Sequence, residues 1–81
     1  MNFREKTKEI IADICGIEPA SLSESMDFVG DLGVDSVKAM ELIVAVEDHF
    51  DIELGEKIEN GLNSVGELLQ GVDELLQGAN S

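Results

Sequence analysis

The chain has 81 residues, 43% of them apolar but only 4% aromatic, so it can form one small domain with a core of Ile, Leu and Val. Eighteen Asp and Glu against five Lys and Arg give a formal net charge of −13, which excludes nucleic acid and the anionic face of a membrane as partners and points to basic ones. The lone cysteine excludes an internal disulfide; with no apolar leader at the N-terminus, a reducing cytoplasm is the expected compartment.

Phe3, Thr7, Ile10, Ile11, Ile14 and Ile17 recur at three- and four-residue steps and predict a first helix from Phe3 to Cys15, with Gly16 as its stop. Cys15 borders the apolar stripe and reads as an inert, buried thiol. Three of the five cations, Arg4, Lys6 and Lys8, lie on this helix, so the rest of the chain is more acidic than the total suggests.

From Ile17 to Val34 the chain carries Pro19, Ser21, Ser23, Ser25, Asp27 and two glycines, which predicts a long loop. Loops of this length in small domains are functional or are pinned by their own side chains. Leu22, Met26, Phe28 and Leu32 are the expected pins.

Asp35 is a preferred helix N-cap, because its carboxylate can accept hydrogen bonds from the unpaired N–H groups of the first turn. Ser36 then opens a second helix, Ser36 to Phe50. At roughly 100° per residue, Ala39, Ile43, Val46 and Phe50 cluster on one meridian, flanked by Leu42 and Met40, and form the expected core face. Ser36 projects near the top of that meridian. Val37, Glu41, Val44 and Asp48 make a separate stripe off the core direction, readable either as a solvated face or as a docking strip for basic, partly apolar surfaces. Lys38 puts a cation in the first turn, against the helix dipole. His49 has no companion ligand in the sequence and reads as structural.

Between Asp51 and Asn63 the apolar anchors are Ile52, Leu54, Ile58 and Leu62, while Gly55 and Asn60-Gly61 favour turns; a short third helix is expected around Glu56 to Asn60. Ser64-Val65-Gly66-Glu67 is a capping box opening the last helix, whose apolar face is Val65, Leu68, Leu69, Val72, Leu75 and Leu76. Gly71 is a candidate kink, Gly78 the expected cap, and Ala79 to Ser81 an expected frayed end. The longest apolar run, Leu42 to Val46, is too short to span a bilayer. The reading is therefore all-α: a single domain, residues 1–81, forming a small four-helix bundle of three longer helices and one short one, with a long loop between the first two.

Gly33-Val34-Asp35-Ser36-Val37 resembles the Gly-x-Asp-Ser-Leu signature of the acyl carrier proteins. The likeness continues through Glu41-Leu42, Ala45-Val46-Glu47-Asp48, Phe50-Asp51-Ile52 and Val65-Gly66-Glu67-Leu68, and so spans nearly the whole chain. The resemblance implies a carrier with no catalytic residues of its own. Ser36 would bear a covalent 4'-phosphopantetheine arm holding acyl groups as thioesters, with Asp35 positioning it. Val37, Lys38, Glu41, Val44 and Asp48 would meet a phosphopantetheinyl transferase and basic-surfaced acyl-transferring and chain-modifying enzymes. The expected state is a monomer without metal, nucleic acid or membrane. Val37 in place of the signature leucine, with Lys38, Gly55 and Gly71, leans toward a specialised carrier; fatty acid and polyketide cargoes both stay open.

Three other classes compete. Calcium binding lacks the EF-hand pattern. Hydrolysis by Ser36 lacks a nearby base, since the only histidine lies more than three turns away on the same helix. A carrier-like interaction module whose serine is never modified is the remaining alternative.

Overall fold

The computed structural model describes residues 3–55, 58 and 62–79. Three long helices carry the fold: α1, Phe3–Cys15; α2, Ser36–Phe50; and α3, Val65–Ala79. The short helical element among the described residues is a 3-10 turn at Pro19–Ser21, inside the long loop. Most of the expected short helix, Glu56 to Asn60, lies outside the described residues.

The helix α1 buries Thr7, Ile11 and Ala12. Thr7 is a polar residue in an apolar wall, and its hydroxyl is satisfied by donating to the Phe3 carbonyl at 2.7 Å. Gly16 ends the helix as expected. With φ at +73° it lets the Ile17 N–H turn back to the Ala12 carbonyl at 3.0 Å, the six-to-one bond of a Schellman end.

Side chains and backbone together tie the long loop down. Leu22 and Phe28 are buried, with Met26 and Leu32 packed against the same core. Phe28 donates its N–H to Asn63 at 2.9 Å, Val65 donates to Met26 at 2.9 Å, and Gly66 donates to Glu24 at 2.8 Å. The loop carbonyls therefore satisfy the first two amides of α3. Ser64 supplies the rest: its hydroxyl accepts from Glu67 at 3.2 Å and its carbonyl from Leu68 at 3.2 Å. All four first-turn donors of α3 are accounted for. This junction explains Gly66, because a Cβ there would stand 3.1 Å from the Glu24 carbonyl oxygen.

Glu24 also fastens the loop to α1. Its carboxylate accepts from Arg4 at 2.8 Å and lies 3.5 Å from the Lys8 ammonium. The hydrogen bond from Arg4, and after it the charges of Arg4 and Lys8, hold the Glu24 carboxyl below its ordinary value. Its ionised form thus favours the folded state, fully above the ordinary value of 4.5 and progressively less as pH falls through the lowered native one. A Glu24→Gln variant is expected to show a lower urea midpoint at neutral pH and low salt, a gap that closes in acid and in high salt. Midpoints measured across pH and ionic strength check this.

The core joins Ile11 of α1, Leu42 and Val46 of α2, and Val65, Leu68, Leu69 and Val72 of α3, with Leu22, Phe28, Val34 and Leu54 from the connections. One detail of α3 differs from the sequence reading: the helix runs on to Ala79, so Gly78 is helical, without the positive φ of a cap. Asn80 and Ser81 lie outside the described residues.

On α2 the buried arc centres on Leu42 and Val46, with Ala39, Ile43 and Phe50 packed beside it. Met40, expected to flank the core, is instead 66% exposed. Six residues from Val46 is roughly 120° around the helix at 100° per residue, which carries Met40 onto the outer face. His49 is likewise exposed, its ring meeting Phe50 edge-on at 4.8 Å.

A helix start that presents a serine

The chain approaches α2 through a folded turn. Asp31 and Leu32 donate to the Asp27 carbonyl, and the Asp31 carboxylate accepts the Asp27 N–H at 2.8 Å. Val34 donates to the Phe28 carbonyl at 2.8 Å and is itself buried. Gly33 has φ at +65° with open space where a Cβ would be, so backbone conformation and not crowding calls for glycine there. The turn delivers Asp35 in extended geometry at the N-cap.

Asp35 caps as its chemistry dictates. One carboxylate oxygen accepts the Lys38 N–H at 2.8 Å, and its carbonyl accepts the Ala39 N–H at 2.8 Å. The two earlier amides, of Ser36 and Val37, have no protein hydrogen-bond partner among the described residues. Ser36 is exposed at the first helical position, roughly 80° around the helix from Val46. It stands at the edge of the buried arc, farther from the core direction than the sequence reading placed it. An exposed hydroxyl beside two unpaired N–H donors at the positive end of a helix suits a phosphodiester. The one histidine is out of reach as a base for hydrolysis: His49 is thirteen residues further along the helix, about 20 Å at 1.5 Å per residue.

Below Ser36 the exposed face of α2 carries Val37 at 68%, Met40 at 66% and Val44 at 52% exposure, with Glu41 and Asp48 exposed beside them. Val29 of the preceding turn is also 68% exposed. Met40 is the member of this face that periodicity misassigned to the core. Lys38 departs from it. Its side chain is half-buried and acts on Cys15, at the end of α1. Burial pushes the Cys15 thiol above its ordinary value and Lys38 pulls it partly back, leaving it protonated and unreactive at neutral pH. No basic residue occupies the last turn of α1, so Lys38 also brings a cation toward the negative end of that helix.

The family described as "Phosphopantetheine attachment site" matches residues 5–72. The acyl carrier protein of Clostridium acetobutylicum is 42% identical over 65 residues, which cover 80% of this chain and 84% of that one. The chain belongs to the acyl carrier protein family. Its cofactor is covalent 4'-phosphopantetheine, and it acts as a carrier of acyl intermediates, not as an enzyme. The residues present fit such a cofactor, which supplies the terminal thiol for a thioester. The Ser36 hydroxyl would bear the arm, and the amides of Ser36 and Val37 would meet its phosphate. Members of the acyl carrier protein family work with phosphopantetheinyl transferases and acyl-transferring enzymes. Among the described residues no helix is long and apolar enough to cross a membrane.

Proposed function

We propose that Ser36 is the residue that bears the phosphopantetheine arm, with Asp35 holding it at the helix start, and that the chain presents acyl thioesters to successive partner enzymes. The observation that carries this reading is the exposed Ser36 hydroxyl at an N-terminus with two unspent amide donors. In this reading the transferase removes the hydroxyl proton as the phosphodiester forms. The single domain spans the whole chain and works as a cytoplasmic monomer.

The docking surface in this reading is the exposed stripe of Val37, Glu41, Val44 and Asp48, with Lys38 at its border and Met40 and Val29 added to its apolar part. Carboxylates steer a basic surface toward it, and the exposed apolar groups are covered once it arrives. The half-buried Lys38 limits which partners fit by opposing cations that approach the top of α2. Acyl groups of fatty acid, polyketide or other specialised lipid synthesis are all compatible with such a carrier.

Incubation with a phosphopantetheinyl transferase and coenzyme A is expected to add one phosphopantetheine mass per chain, mapped to Ser36 by peptide fragmentation. An unchanged mass with a transferase competent on another carrier would leave the unmodified interaction module as the reading.

A further inference from the structure

The methionines of this chain are Met1, Met26 and Met40. Met1 lies outside the described residues. Met26 is half-buried in the long loop and packs against the core cluster. Met40 is the opposite case, 66% exposed on the outer face of α2. A thioether needs no deprotonation to react, so access to the sulfur governs its oxidation. The other sulfur, of Cys15, is half-buried and its thiol is held protonated, whereas the reactive form of a cysteine is the thiolate.

The place of Met40 on the helix gives its oxidation a consequence. It follows Val37 by three residues and precedes Val44 by four, the spacings at which side chains on a helix surface are neighbours. All three are more than half exposed. Without Met40, Val37 and Val44 would be two solitary apolar groups about 10 Å apart along the axis; with it they form one continuous strip. Met40 also follows Ser36 by four residues, roughly 40° around the helix and about 6 Å down it. The centre of the strip thus lies one turn below the hydroxyl to be loaded.

We propose that Met40 is a site of reversible oxidation, and that its sulfoxide closes the docking face of α2 to the enzyme that loads Ser36. The proposal rests on the reading of the α2 stripe as the docking surface. The oxidant is hydrogen peroxide. Its O–O bond breaks, one oxygen joins the Met40 sulfur, which gives up two electrons, and the other leaves as water. The product is a polar acceptor in the middle of the strip, and an apolar partner surface laid over it would strip its water without replacing the hydrogen bonds. Methionine sulfoxide reductases return the thioether, one enzyme for each epimer.

The test uses the full, unloaded chain as wild type, Met40→Leu and Met26→Leu. Each is treated with hydrogen peroxide, freed of it and mapped by peptide fragmentation. Each is then loaded with coenzyme A by a phosphopantetheinyl transferase competent on another carrier, and compared with its own untreated sample. In wild type, Met40 is expected to take up oxygen about tenfold faster than Met26. Treatment should raise the transferase's KM for wild type and for Met26→Leu by about tenfold, the value of one lost apolar contact. The kcat should hold, because the contact is remote from the reacting oxygen. Reductases for both epimers should restore the KM, and Met40→Leu should respond to peroxide not at all. The urea midpoint of the treated wild type should match the untreated one, since the new oxygen faces water.

Oxidation of Met26 as fast as Met40 overturns the proposal. An unmoved KM after treatment, an equal rise in Met40→Leu, or a lowered urea midpoint, which would put the effect in the fold, also overturns it. Val44→Asp separates this proposal from the reading beneath it. If that variant loads with an unchanged KM, the docking face itself is lost. If its KM rises while oxidation of Met40 moves nothing, the docking face stands and the switch alone falls.

Discussion

Ser36→Ala is expected to abolish cofactor loading outright while leaving the fold unchanged. The argument for complete loss is chemical. Phosphopantetheine joins through a phosphodiester, so the acceptor must be a hydroxyl oxygen. Neighbouring hydroxyls do not substitute: Ser25 and Ser23 bond to each other at 2.9 Å in the long loop, and Ser64 is engaged in capping α3. The argument for an intact fold is structural. Ser36 is exposed, its side chain makes no hydrogen bond to another of the described residues, and alanine is the best helix former. Intact mass after treatment with transferase and coenzyme A should therefore show no addition, and the urea midpoint should lie within about 0.5 kcal/mol of wild type, as for other featureless surface substitutions. Residual loading of the variant would move the attachment point elsewhere. A large loss of stability would show that the hydroxyl does structural work that the helix start does not reveal.

Much of this arrangement is legible in the amino acids, because it rests on local chemistry. The Asp35 cap, the stop at Gly16 and the Ser64 hydroxyl's half of the capping box each depend on residues within a few positions of one another, and each forms as the sequence implies. Met40 fails for a geometric reason. Nine of the fifteen residues of α2 are apolar, so several arcs fit the pattern almost equally well, and only packing against α1 and the connections fixes which one turns inward. Gly78 fails because glycine adopts helical angles as readily as the left-handed ones that a cap needs. Non-local contacts leave the weakest trace. Gly66 belongs to the family likeness, but its close approach to the Glu24 carbonyl joins segments forty-two residues apart. Glu47 looks like one more acidic residue on an acidic helix, yet its carboxylate reaches around the helix end to accept the N–H of Leu54, a residue that periodicity on α2 does not include.

Phe28→Ala is expected to bring the protein close to its unfolding threshold, although Phe28 lies in what the sequence marks as a loop. It is fully buried and heads the largest side chains of the core. Truncating a buried phenylalanine costs about 3 to 5 kcal/mol, from lost transfer energy and from the cavity left behind. A domain of this size has a total stability of roughly 4 to 12 kcal/mol at the usual increment per residue. The backbone of Phe28 raises the stakes further. Its N–H is spent on Asn63 ahead of α3 and its carbonyl on Val34, the residue before Asp35. One side chain therefore anchors both the approach to α2 and the connection into α3. Leu32→Ala, at a partly buried position that packs against the same core, should lose clearly less. Urea midpoints of the two variants decide the point. Near-equal losses would mean that the turn is held by its backbone bonds alone, whereas a collapse confined to Phe28→Ala would place this ring at the base of the support on which the Ser36 helix start stands.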